Sequence, residues 1–155
     1  MKYEEVIDAI KEVVDAYTGT LSFEYQRVWS MNEKPSRVYP CFLVECQPNF
    51  TFGGIQHNYR MGKQQFKGKL FIYDTYWQDQ RATTSLWKKQ SDLNELFLQI
   101  LAEIKRKLLV DYSLDINFGE GFFGWFEQHN SKLVEVYAPF DFTITECTLA
   151  EFNYA

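Results

Sequence analysis

The sequence predicts an α+β domain: an antiparallel β-sheet with an N-terminal helix and a second long helix packed on one face. Three observations predict it. Apolar residues recur at helical spacing near the start of the chain and again over residues 91–108, while the segments between and after alternate with the period of a strand. The order is helix, three strands, helix, two or three strands (α-β-β-β-α-β-β), all within one domain over residues 1–155.

Val6, Ile10, Val13, Val14 and Tyr17 mark one side of a helix over 2–17, with Glu4, Glu5 and Asp8 where its dipole favours negative charge. Thr18-Gly19 supplies the stop. Leu21, Phe23, Tyr25 and Trp29 then alternate with polar neighbours as a first strand. Val38 to Gln47 reads as a second, with Pro40 placing its start at an edge. Residues 48–65 are polar and broken by Pro48, Gly53-Gly54 and Gly62, which suits a long projecting loop or an irregular hairpin. A third strand runs from Phe66 to about Tyr76, with Leu70 and Ile72 inward and Lys67 and Lys69 outward.

Leu93, Leu96, Phe97, Ile100, Ile104 and Leu108 form the apolar stripe of the second helix, which starts near Thr84 or at Ser91-Asp92. Short strands follow at Leu114–Phe118 and Phe122–Gln128. The last strand, Lys132 to about Glu146, places Val134, Val136, Ala138, Phe140, Phe142 and Ile144 on one face. Glu135, Tyr137, Asp141, Thr143 and Thr145 take the other, and Pro139 in its middle implies an edge or a bulge. Parallel βαβ units do not fit this hairpin-like succession.

Composition narrows the function classes. The net charge of −5 offers no basic stripe for nucleic acid. Cys41, Cys46 and Cys147 are odd in number, lack C-x-x-C spacing, and read as reduced packing residues. Met1-Lys2-Tyr3-Glu4-Glu5 leads directly into an acidic helix, so no secretory leader is expected, and no apolar run reaches the ~20 residues of a membrane span.

No pattern of catalytic residues emerges, so the expectation is a non-enzyme without cofactor or metal. Gly119, Gly121 and Gly124 match G-x-G-x-x-G, but Trp125 to Asn130 leads into a strand rather than a phosphate-binding helix. His57 and His129 sit in loop or turn contexts with no partner ligands nearby. The serines lack a G-x-S-x-G elbow. Glu127, Glu135 and Asp141 could share the polar face of a hairpin, where solvated charges also belong.

What stands out is the aromatic content: 14 Phe, 10 Tyr and 4 Trp. At about 150–250 Å² each, these rings exceed what one small core hides, unless many serve as strand formers. Tyr76, Trp77, Trp87, Phe122, Phe123, Trp125 and Phe126 fall near element ends or in turns and form the candidate assembly interface. Phe50, Phe52, His57, Tyr59 and Arg60 mark the candidate projecting loop.

This order of elements resembles the tail terminator and head–tail joining (neck ring) proteins of tailed bacteriophages. The features that carry the likeness are the helix Met1–Tyr17, the loop Pro48–Gln65, the helix Ser91–Leu108 and the closing hairpin Phe122–Glu146. The segment Val134-Glu135-Val136-Tyr137-Ala138-Pro139-Phe140-Asp141-Phe142 resembles the last strand of such proteins. The resemblance implies a homo-oligomeric ring of six or twelve copies in the virion neck or tail, assembled in the host cytoplasm. Its neighbours would be portal, connector and tail proteins, and DNA would pass through without specific binding; no membrane is involved. An acidic lumen would suit that passage, whereas one carrying Arg60, Lys63, Lys67 and Lys69 would not. Two other readings stay open: a small-molecule-binding α+β pocket protein, and an acidic adaptor or inhibitor protein.

Overall fold

Among the residues that the computed structural model describes (1–26, 38–45, 49–52, 60–76, 83–128 and 131–148), the chain forms two helices and seven strands. In order they are α1 (Tyr3–Asp15), β1 (Ser22–Gln26), β2 (Cys41–Glu45), β3 (Asn49–Phe52) and β4 (Arg60–Thr75). Then come α2 (Thr83–Tyr112), β5 (Asn117–Phe118), β6 (Phe122–Gln128) and β7 (Ser131–Thr148).

The two long strands, β4 and β7, pair antiparallel from Arg60↔Thr148 to Thr75↔Leu133 in one constant register. On the outer side of β4, β2 pairs with Leu70–Tyr73 and β3 with Gln64–Lys67. On the outer side of β7, β5 pairs at Phe140–Asp141 and β6 from Tyr137 to Ser131. The α+β class and the helices packed on the sheet are as the sequence predicts.

Three expectations change. The sheet is mixed, because β1 runs parallel to β2 from Ser22↔Cys41 to Gln26↔Glu45. A parallel return needs a connection of roughly a dozen residues, and 27–40 provides one. The described parts of 48–65 are strand rather than free loop: Asn49–Phe52 pairs with β4, and β4 itself begins at Arg60. Pro40 does not mark an edge strand, since β2 lies between β1 and β4. Pro40 sits just ahead of that ladder, where its carbonyl accepts from the Ser22 N–H at 3.0 Å and a missing donor costs nothing.

Alternation decides the two faces. Even-numbered residues of β4 and β7 face the helices, so Phe66, Leu70, Ile72, Val134, Val136, Ala138, Phe140 and Phe142 join the main core. Val6, Ala9, Ile10 and Val14 of α1, and Leu93, Phe97, Ile100, Leu101, Ile104 and Leu108 of α2, close it from above. Glu5 accepts from the Lys2 backbone N–H at 2.5 Å at the start of α1. Tyr17, expected on the buried stripe, lies beyond the end of α1 and is exposed. At the far end of α2, Ser113 adopts a left-handed conformation (φ 53°) and donates to the Leu109 carbonyl at 3.1 Å. The turn sends Leu114 and Ile116 back into the core.

Pro139 stands in a central strand, not at an edge. Its carbonyl accepts from Gly119 N–H at 2.9 Å, so its absent N–H would point to the same side, toward the break between β5 and β6. The expected bulge lies on the partner: Gly119, Glu120 and Gly121 oppose only Ala138 and Pro139 between the Phe118↔Phe140 and Phe122↔Tyr137 pairs. A Cβ on Gly119 would fall 2.6 Å from Pro139 Cγ, so this close approach requires glycine.

Two stability predictions follow from this packing. Phe97→Ala empties a site 1% exposed beside Phe42 and lowers unfolding free energy by about 3–5 kcal/mol in urea denaturation. Gly119→Ala costs about 1–3 kcal/mol through the clash with Pro139, and much of that loss is recovered when Pro139→Ala is combined with it.

Candidate assembly surface

Strand β6 lies at the end of the sheet, and its sequence Phe122-Phe123-Gly124-Trp125-Phe126-Glu127-Gln128 carries one charge and no proline. The register places Phe123 opposite Val136 and Trp125 opposite Val134, so both rings stand on the helix-bearing side. They remain 55% and 41% exposed because α2 does not cover this strand. Between α2 and the β5–β6 bulge runs a groove of about 280 Å³ lined by Asn94, Leu98, Leu101, Gly121 and Val136.

Trp87, 66% exposed, shares a helical stripe with Asn94 and Leu98. Lys89 of α2 holds Asp74 at 2.6 Å, and Asp74, Val134 and Trp125 form one rung across β4, β7 and β6. Trp87 therefore stands at the same end of the sheet as Trp125. With Leu98 and Phe123, these rings present on the order of 400 Å² of apolar surface, the scale of a functional patch.

Phe122 points to the opposite side of the sheet. There it begins an aromatic ladder, stacking on Tyr137 at 5.1 Å, which stacks on Phe71 at 5.2 Å, which stacks on Tyr73 at 5.8 Å. Phe122 is still 43% exposed. Glu135 lies opposite both Tyr73 and Gly124, and its side chain fills the space above the glycine. Half-burial pushes the Glu135 carboxyl above its ordinary value, against a hydrogen bond from Tyr73 and the charge of Lys69. Lys69 also stands over the Tyr137 ring at 5.7 Å.

The remaining sequence candidates separate. Tyr76 is a core residue, 7% exposed: its even position turns it under the helices, and its N–H donates to Lys132 O at 2.7 Å. Trp77, His57 and Tyr59 lie outside the described residues. Phe50 is a half-exposed β3 residue whose ring meets Phe66 at 5.8 Å, and Phe52 and Arg60 are strand positions of β3 and β4. Phe126 is a β6 position opposite Leu133. Lys63, Lys67 and Lys69 stand on β4, not on a loop, on the helix-free face. Asp141 opposes Lys67 and Glu135 neighbours Lys69, so the stripe is not purely cationic.

The carboxylates do not form a catalytic pair. Glu127 is a β6 position paired with Lys132, whereas Glu135 and Asp141 share the helix-free face about 20 Å apart along β7. Gly121 leads into β6, a strand, so the glycine pattern has no helix N-terminus for a phosphate. Among the described residues, no group of three or more His, Cys, Asp or Glu is placed to hold a metal. No helix among them is long and apolar enough to cross a membrane.

A second depression, about 560 Å³, lies between α1 and α2 and is lined by Val13, Tyr17, Leu96, Ile100, Arg106 and Lys107. Its cations already have partners. Lys107 meets Glu12 at 2.8 Å and Asp111 at 3.3 Å, which raise its proton affinity, and Arg106 meets Glu103 at 2.9 Å. The aromatic ladder and this groove were beyond sequence reading, since both depend on which strands and helices become neighbours.

The Glu135 environment carries a pH signature. Its folded carboxyl releases its proton at higher pH than the unfolded one, near 4.5. The ionised form is thus penalised in the folded chain at neutral pH, and the penalty fades as pH falls through the folded and then the unfolded value. Relative to wild type, Glu135→Gln is therefore more favourable to stability at pH 7 than at pH 4, measured by urea denaturation at both.

No family model and no curated protein matches the chain.

Proposed function

We infer that this chain is a structural assembly protein, without catalysis, that joins copies of itself through the aromatic end of its sheet. The observation that carries this is β6: a seven-residue edge strand exposing Phe122, Phe123 and Trp125, without the lysines or proline that monomers use to blunt an edge. Aromatic rings held on rigid strands are the residues that dominate protein interfaces.

The order of helix, strands, long helix and closing hairpin supports a finer reading through its resemblance to phage neck and tail-terminator proteins. In that reading the chain forms a ring of six or twelve copies between the portal side and the tail, around the DNA channel. Portal, connector and tail proteins are its neighbours in the virion. A pocket protein is the second reading, favoured by the size of the α1–α2 depression, which falls in the range of ligand sites. That depression is open and its charged groups are paired among themselves, which leaves few to orient a ligand.

Light scattering behind a sizing column, over a concentration series, tests the assembly reading. The expected result is a discrete particle of six or twelve copies whose image along the axis shows a hole wide enough for duplex DNA. Phe123→Lys with Trp125→Lys weakens association at least tenfold while leaving the circular dichroism spectrum unchanged, because both rings are exposed. A monomer at every concentration overturns self-assembly and favours the pocket reading.

A further inference from the structure

We propose that the contact between copies is two-fold and runs along α2: a second apolar stripe of that helix, Trp87, Leu98 and Leu109, packs antiparallel on the same stripe of another copy, with Leu98 at the axis. This rests on the assembly reading above and specifies its interface. Two sides of α2 are occupied within the chain. Leu93, Phe97, Ile100, Ile104 and Leu108 face the core, and Leu96, Gln99 and Glu103 line the depression against α1. Trp87, Leu98 and Leu109 belong to neither side. Eleven residues separate each from the next, a span that closes three turns of helix to within about 20°. The three therefore share one line, on the side where Leu98, Asn94 and Ala102 wall the groove beside β5 and β6. They are 66%, 57% and 51% exposed. A helix face meant only for water has no need of large apolar residues at that period.

The spacing fits a copy of the same chain. Trp87 and Leu109 stand equally far from Leu98 on either side, so the stripe reads the same in both directions. An antiparallel copy centred on Leu98 sets Leu98 against Leu98, Trp87 against Leu109, and Asn94 against Ala102. Lys105 falls opposite Ser91, so no like charges meet along the line. Its ammonium is held meanwhile by Asp115 at 3.2 Å and the Ile116 carbonyl at 3.1 Å. A self-complementary patch of this kind is what a two-fold interface requires. Phe123 and Trp125 stand on the same side of the sheet, across the groove, and widen the contact. With them and Tyr112, the stripe presents about 600 Å² of apolar surface per copy, so a pair buries about 1,200 Å², where stable specific interfaces begin. A two-fold contact closes at two copies, and a larger particle adds a second contact elsewhere on the chain.

Cross-linking of cysteine substitutions in the full chain tests this register. Leu98→Cys is expected to link into dimers with a short bismaleimide at least about tenfold faster than Val110→Cys, because a bound neighbour raises the effective concentration of its thiol. Val110 is the control: it is 67% exposed on the same helix but lies off the stripe. Trp87→Cys and Leu109→Cys are each expected to link slowly alone and rapidly when mixed. Wild-type protein treated alike gives the background from the native cysteines. A charge pair supplies the second measurement. Leu98→Glu and Leu98→Lys each place like charges at the axis and are expected to lose association, while their equimolar mixture regains it. Circular dichroism checks that each variant folds, which an exposed position permits. If the wild type assembles but Leu98→Cys links no faster than Val110→Cys, or the mixed charge variants regain nothing, the two-fold contact along α2 is overturned while assembly stands. A wild type that is monomeric throughout overturns both.

Discussion

The antiparallel ladder between β4 and β7 is the constraint from which the rest of the structure hangs. Fifteen rungs run in one register from Arg60↔Thr148 to Thr75↔Leu133. Every other strand attaches to one of these two, directly or through β2. Because the register is constant, parity along the pair divides the molecule. Even positions supply the wall that α1 and α2 cover, and odd positions supply the other face, with Phe71, Tyr73 and Tyr137 at its centre. A slip of one residue would turn Phe140 and Phe142 outward and Asp141 inward, so burial of this wall and register enforce each other.

A single extra residue on the neighbouring strand then shapes the exposed end. Phe118 of β5 faces the helices from an even position. The three-against-two step at Gly119–Gly121 reverses that parity for β6. Phe123 and Trp125 consequently stand on the helix side beyond the reach of α2, and Phe122 drops onto Tyr137 on the other side. Gly119 permits the step because its missing side chain lets the backbone pass close to Pro139, and Pro139 tolerates it because its missing donor faces the break. One local irregularity thus decides which of these rings stands on the helix side and which on the other.

Among the described residues, exposed short-range ion pairs include Lys11–Asp15 and Arg106–Glu103. Exposed pairs of this kind add little to stability, generally under about 1 kcal/mol. Glu135 departs from the pattern, since its half-buried site, framed by Tyr73, Gly124 and Lys69, resists ionisation. The β6 end, by contrast, exposes the apolar rings of Phe122, Phe123 and Trp125.

The sequence by itself determined the elements and their inward faces. The helical spacing of Leu93, Phe97, Ile100, Ile104 and Leu108, and the alternation from Val134 to Ile144, are local periods that any folded arrangement must bury. It also marked Phe122, Phe123, Trp125 and Trp87 as surplus to the core. Tertiary structure alone decided that β1 runs parallel to β2, that Tyr76 is core, and that β7 is a central strand with β6 outside it. The reason is physical: periodicity records which side of an element meets apolar surroundings, and it is written within a few residues. Which strand lies beside which, and in what direction, depends on pairings between distant segments, whose energies no local pattern carries.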